Sequence, residues 1–207
     1  MNTALNIAMK QNPESESTSV TVRDAIYSRR AVRHYLPKAV NDIQVKNLID
    51  AAIHAPSAMN RQPWAFVIVQ RPTTLKRISD AAKIKIMNAP LELHNTERRH
   101  TPFVDPTFDI FYGAPTLIVI CAKEEHGMSA LGDCYLAAQN LMLEAYEMGL
   151  ATCPIGLAQD VLCEDTWKDE LLIPQGYAPV LPIIVGYPGS EMPTTQRAVP
   201  KIFSWLR

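Results

Sequence analysis

Apolar positions along this chain recur at two periods, one helical and one strand-like, and the two alternate from end to end. A short helix-like stretch runs from about Val22 to Arg29. A second helix is predicted from Asn41, where Gln44, three residues on, can complete a capping box. It places Ile43, Leu48, Ile49, Ala52 and Ile53 on one side and must stop before Pro56. The run Trp64 to Val69 is rich in β-formers and reads as a strand. Pro72 then occupies a first helical position, opening a helix to about Met87. Thr116 to Cys121 is a continuous apolar run of strand length, the mark of a buried strand. The strongest helical pattern covers about Ser129 to Met148, where Leu131, Cys134, Tyr135, Ala138, Leu141, Met142, Ala145 and Met148 repeat at i, i+3, i+4 and i+7. Leu136, Ala137, Leu143 and Tyr146 add apolar residues on its other faces, so this helix must be buried on more than one side. Gly149 is placed to end it as a left-handed cap. A short strand around Ala151 to Pro154, a helix around Val161 to Leu171 and a last core strand from Pro179 to Gly186 follow, with Pro182 near that strand's start. Strands alternating with helices predict layered α/β (α+β) packing rather than a helical bundle.

Composition narrows this picture. A chain of 207 residues suffices for one domain with a sizeable core, here about 21–207. Its 20 basic and 21 acidic residues nearly cancel, which gives no electrostatic reason to expect nucleic acid or an acidic membrane as partner. No apolar run reaches the length of a membrane span. Residues 1–20 are polar after Met9, lack a secretory core and read as a flexible arm. The four cysteines form no C-x-x-C pair, and three sit in apolar surroundings, as reduced core thiols of a cytoplasmic protein do. No His or His/Cys cluster has metal-ligand spacing. Residues 88–113 show no clean period and hold Glu97-Arg98-Arg99-His100 and several aromatics. A loop this long in a compact domain is functional or mobile, so the segment is read as a lid.

The candidate chemistry begins at Ser28-Arg29-Arg30-Ala31-Val32-Arg33-His34-Tyr35. Three arginines fall within five positions at the end of a helix, in a chain with no general basic excess, which leaves both a solvated surface cluster and an anion site open. A guanidinium fork suits a phosphate or a polarised carbonyl. Neither G-x-G-x-x-G nor G-x-x-x-x-G-K-S/T occurs, and 8 glycines leave little for a glycine-rich phosphate cradle. A nucleotide-like cofactor would therefore have its phosphate held by side chains. A flavin needs cations for its phosphate, polar donors for its ring edge and an apolar surface for its face. Pro56, Ser57 and Asn60 can supply a rigid turn, a hydroxyl and an amide, though these are also ordinary loop residues. Trp64 reads as core rather than as a cofactor stack.

The pattern R-R-A-V-R-x-Y, followed by Ala55-Pro56-Ser57-Ala58-Met59-Asn60-Arg61-Gln62-Pro63-Trp64, resembles the opening of the nitroreductase family of FMN-dependent, NAD(P)H-oxidising enzymes. Gly113-Ala114-Pro115 before an apolar strand, the long central helix, Pro154-Ile155-Gly156 and Val185-Gly186-Tyr187-Pro188 follow in that family's order, so the resemblance spans about Val22 to Pro200. It implies a central mixed β-sheet flanked by helices and a homodimer with two FMN sites at the subunit interface. It also implies that Arg29, Arg30 and Arg33 hold the phosphate and the pyrimidine side of the flavin. Pro56, Ser57 and Asn60 would reach the same FMN from the partner subunit, and Pro154, Ile155 and Gly156 would lie beside the ring. Arg197 matches a basic residue that completes the phosphate site. The chain departs from the pattern at Ala31, where the family has serine, and at its flavin-contacting lysine, for which Lys83 is the candidate here. The activity implied is passage of electrons from NAD(P)H through FMN to a nitroaromatic, quinone or similar small acceptor with ping-pong kinetics. The cofactor carries the chemistry, so no catalytic side chain is expected. Two other readings are a specialised member that dehalogenates its substrate or consumes flavin, and a flavin-binding protein without turnover.

Overall fold

Helix-start signals in the sequence are realised where they stand. The computed structural model describes residues 20–88, 103, 105–190 and 195–207. The expected arm at 1–20, apart from Val20, and most of the expected lid, 89–102 and 104, lie outside the described residues. Helix α1, Val22–Ser28, opens on a capping box between Thr21 and Asp24, and α2, Asp42–Ile53, opens on the one between Asn41 and Gln44. Strand β1, Trp64–Val69, and helix α3, Pro72–Asn88, follow. Strand β2, Thr116–Lys123, leads to the long helix α4, Gly127–Glu147, then β3, Ala151–Pro154. Short helices α5, Gln159–Leu162, and α6, Asp165–Glu170, precede β4, Tyr177–Gly186. Gly149 ends α4 with φ +70. Its N–H donates to Tyr146 O and the Leu150 N–H reaches back to Ala145 O, a Schellman closure that only a residue tolerant of positive φ adopts without strain.

The four strands lie in the order β1-β2-β4-β3, and every neighbouring pair is antiparallel. The sheet's one parallel pairing among the described residues is the isolated bridge of Ala31 to Thr152, on the outer edge of β3. The mixed character expected of the sheet therefore rests on that bridge. Pro182 sits in mid-strand, yet it breaks no ladder bond. Its carbonyl accepts the Ile155 N–H at 2.8 Å, so its nitrogen faces the same side, just beyond the end of β3.

Each face of the sheet carries its own core. Leu117, Val119 and Cys121 of β2 pack with Ile78 and Ala82 of α3, Val161 and Leu162 of α5 and Trp167 of α6. Ile118 and Ile120 pack on the other face with Leu48 of α2 and Cys134, Ala138 and Leu141 of α4. Burial on both faces explains why β2 reads as an unbroken apolar run. Trp64 is core, as expected.

Three expectations need correction. The helix predicted over Val161 to Leu171 is broken at Cys163–Glu164, where Glu164 is extended with ψ 140. At about 100° per residue, an unbroken helix would set Trp167 roughly opposite Val161 and Leu162. The break lets all three enter one core. In α2 the buried face is Val45, Leu48 and Ala52, while Ile43 is 70% exposed and Ile53 41%. In α4, Tyr135 lies outside the core and Ala137 inside it. An outward stripe of Met128, Tyr135 and Leu136 continues through the half-buried Leu143 and Tyr146. The helix is apolar on two faces, but one chain covers only one of them.

Candidate functional site

Arg29 is the residue at which α1 ends, and the extended segment after it runs beside β3 and β4. Val32 N–H donates to Thr152 O at 3.1 Å, and Tyr35 bridges to Pro188. This anchors the arginine segment over a cleft of about 360 Å³ lined by Ser28, Arg29, Arg30, Met142, Tyr146 and Thr152, among others. Both arginines are half-buried. Arg30 Nη1 donates to the carbonyls of Tyr27 at 2.7 Å and Arg29 at 2.8 Å, which fixes its fork. Arg29 Nε, Arg30 Nε and Thr152 Oγ1 are buried with no hydrogen-bond partner, and they are the only such side-chain atoms among the described residues. All three belong to residues lining this one cleft.

The electrostatics point the same way. Burial, then the neighbouring guanidiniums of Arg197 and Arg30, makes Arg29 easier to deprotonate than an ordinary arginine. Arg197 is near enough to Arg29 to act on its charge, and it is itself exposed on the C-terminal segment. Arg33 is exposed on the same side. It and Arg29 oppose the burial that pushes up the Cys153 thiol. Among the described residues no carboxylate pairs with any of these four arginines. Cations gathered with unspent donors and no counter-charge suit an anion such as a phosphate.

Pro154, Ile155 and Gly156 close β3 and follow it, and none of the three lines the arginine cleft. Ile155 is buried and held by its bond to Pro182, while Gly156 is exposed, with open space where a Cβ would stand. Pro56, Ser57 and Asn60 are elsewhere. The Ala58 N–H is bonded to Asp133 in the first half of α4, whereas the arginine cleft is lined by Met142 and Tyr146 near its end. Asp133 and Tyr146 are 13 residues apart, about 20 Å along a helix. Within one chain the two groups do not meet.

Lys83 is not at the cleft. It is buried, donates to Phe108 O at 2.8 Å and pairs with Asp80 at 3.2 Å, so it ties the 105–113 segment to α3. That segment is packed, with Ile110 and Phe111 in the core. A larger cavity of about 800 Å³ lies between α3 and this segment. Its polar side chains are already paired: Lys76 with Asp80, Ser79 with the Ile110 N–H, and Gln70 with Val40 O and Thr116. The smaller cleft, with unspent donors, is the better candidate. No metal-binding cluster occurs among the described residues.

Residues 26–187 match the model of the nitroreductase family. The chain belongs to that family. A protein of Methanothermobacter thermautotrophicus named as an NADH dehydrogenase/NAD(P)H nitroreductase is 25% identical over 197 residues, covering 94% of this chain and 91% of the relative. An FMN-dependent nitroreductase of Clostridium difficile R20291 superposes with a TM-score of 0.72 at 27% identity, covering 87% of this chain and 97% of that one. A nitroreductase of Desulfitobacterium hafniense DCB-2, solved with bound FMN, superposes with a TM-score of 0.76 at 22% identity over the same shares. Within this nitroreductase fold, sequence reasoning missed Thr152 and Asp133. Thr152 is one small polar residue in an apolar strand and carries no motif. Asp133 could have been found as the one carboxylate on an apolar helical face.

Proposed function

We propose that this nitroreductase-family chain is an FMN-dependent oxidoreductase that takes electrons from NAD(P)H and delivers them to a small acceptor such as a nitroaromatic or quinone. The observation that carries the reading is that three buried, unpartnered polar atoms, those of Arg29, Arg30 and Thr152, all belong to residues lining one cleft. FMN, when bound, supplies the redox chemistry that no side chain here possesses. The chain's own part is binding and orientation. Arg29 and Arg30, with Arg33 and Arg197 beside them, hold the phosphate. Pro154, Ile155 and Gly156 border the ring, where Gly156 leaves room for close approach. With no dinucleotide cradle elsewhere in the sequence, donor and acceptor occupy one pocket in turn, which predicts ping-pong kinetics.

We infer further that the working unit is a homodimer. The outward apolar stripe of α4 needs cover, and a two-fold axis running across the helix sets its two copies antiparallel. That arrangement brings the Asp133 end of one α4 toward the Tyr146 end of its partner. Pro56, Ser57 and Asn60 of one subunit then complete the arginine cleft of the other. The exposed tail holding Ile202, Phe203, Trp205 and Leu206 is apolar enough to pack on the partner as well. No described helix is long and apolar enough to cross a membrane. Four free cysteines, three of them buried, support a reducing cytoplasmic setting.

The test is optical. Purified protein reconstituted with FMN is expected to turn yellow and to bleach on addition of NAD(P)H under argon, with the colour restored by a nitroaromatic or quinone. Yellow protein that does not bleach would favour a flavin carrier, and failure to take up FMN would end the reading. Parallel double-reciprocal lines are expected; intersecting lines would contradict the shared pocket.

A further inference from the structure

The turn that presents Ser57 and Asn60 has an unusual backbone. Met59 and Asn60 both have φ 55 and Gln62 has φ 47, so three of the five positive-φ non-glycine residues among those described fall within four positions. Such residues cost energy and persist only where the surroundings hold them. Within the turn, Ser57 Oγ accepts the Gln62 N–H at 3.0 Å and the Asn60 N–H reaches Ser57 O at 2.9 Å. The turn's one bond to another element that a side chain provides is Asp133. This carboxylate is buried on α4, has no cationic partner among the described residues, and accepts the Ala58 N–H with Oδ1 at 3.1 Å and Oδ2 at 3.2 Å. A carboxylate is costly to bury, and its one partner is this amide, so its retention calls for a purpose beyond packing.

We propose that Asp133 is a positioning residue: through the Ala58 amide it fixes the strained 57–62 turn in the shape that offers Ser57 and Asn60 to the cofactor. This rests on the reading above that those two residues contact FMN. Asp133 stands on the helix whose outer face meets the partner, so it ties the geometry of the turn to the interface across which the turn acts.

Three variants of the full chain test it, each reconstituted with FMN. Asp133→Ala removes the acceptor. Asp133→Asn keeps an oxygen of the same shape. Ala58→Pro removes the donor instead, at a first helical position where proline is favoured, after Ser57 with ψ 151, which suits a residue preceding proline. Asp133→Ala and Ala58→Pro should each weaken FMN about tenfold or more, since a hydrogen bond to a charged group is lost. Their double variant should be no weaker than the worse single one, because both break one contact. Asp133→Asn should stay within about threefold of wild type. Amide hydrogen exchange over 59–62 should quicken in Asp133→Ala and Ala58→Pro and not in Asp133→Asn. A merely structural Asp133 would lower Tm in all of them while leaving the FMN affinity of folded protein unchanged, and that result would overturn the proposal. Should Asp133→Ala fail to fold, Ala58→Pro decides alone. Wild-type protein that binds no FMN would sink the cofactor reading, while unchanged exchange over 59–62 in Asp133→Ala and Ala58→Pro would sink the positioning role on its own.

Discussion

Replacing Arg29 by alanine should weaken the loaded protein without weakening the empty one. Arg29 is half-buried, its Nε has no partner, and the charges that act most on it are the guanidiniums of Arg197 and Arg30. In the empty protein it is thus an unrewarded cation, and its removal relieves repulsion; the Tm of the FMN-free variant should hold or rise. In the loaded protein it makes a charged hydrogen bond worth about 1.5–3 kcal/mol, so Kd for FMN should rise about 10- to 150-fold. At an FMN concentration 100 times the wild-type Kd, binding stabilises wild type by about 2.7 kcal/mol, and the variant by about 1.4 kcal/mol or less. In a domain of this size each kcal/mol moves Tm by about 2–4 °C. Fluorescence-quench titration gives Kd and thermal melts with and without FMN give the rest. Arg61→Ala is the control, because Arg61 is exposed and donates to Met59 Sδ. Equal FMN retention in the two variants, or a lower FMN-free Tm with unchanged Kd for Arg29→Ala, would refute the reasoning.

Leu136→Glu places a charge in the middle of the outward face of α4 and should yield monomers by sedimentation, with loss of FMN affinity because the site is shared; a dimer that keeps FMN would contradict the interface. Glu144 is pushed above the ordinary carboxylate value of 4.5 by burial, then by Glu147 and Asp50. A raised folded-state pKa favours folding at acid pH and is lost as pH rises through it, so Glu144→Gln should raise Tm at pH 7 and match wild type below about pH 4.5. No Tm difference at pH 7 would remove the cause. Gly149→Ala puts a side chain at φ +70 with nothing within 4 Å of its Cβ, so backbone strain alone should cost about 1–2 kcal/mol in denaturant melts; an unchanged midpoint would show that the cap relaxes.

Much of the fold was legible because local chemistry and tertiary packing agree. The Asn41–Gln44 capping box, Pro72 as a first helical residue and the Gly149 stop are short-range signals that packing has no reason to override. The α5–α6 break was hidden because it arises from where Trp167 must go, which depends on the core and not on the flanking residues. The choice of Val45 over Ile43 has the same origin: both are apolar, and only the position of α4 tells them apart. For the site, the arginines were legible as a cluster without a basic background. Thr152 was not, since its significance is an unsatisfied hydroxyl, a property of its surroundings. Lys83 shows the reverse case, a residue type suited to a flavin that the fold spends on backbone carbonyls of the 105–113 segment.

The central claim is that Arg29 and Arg30 hold the phosphate of FMN, and the most direct test is the affinity of wild-type protein for FMN against riboflavin, which differ only in that phosphate. A paired phosphate should favour FMN by about 100-fold or more, since it adds at least two charged hydrogen bonds. That preference should shrink with rising salt and collapse in Arg29→Ala. Equal affinity for the two flavins would place the phosphate elsewhere and contradict the account.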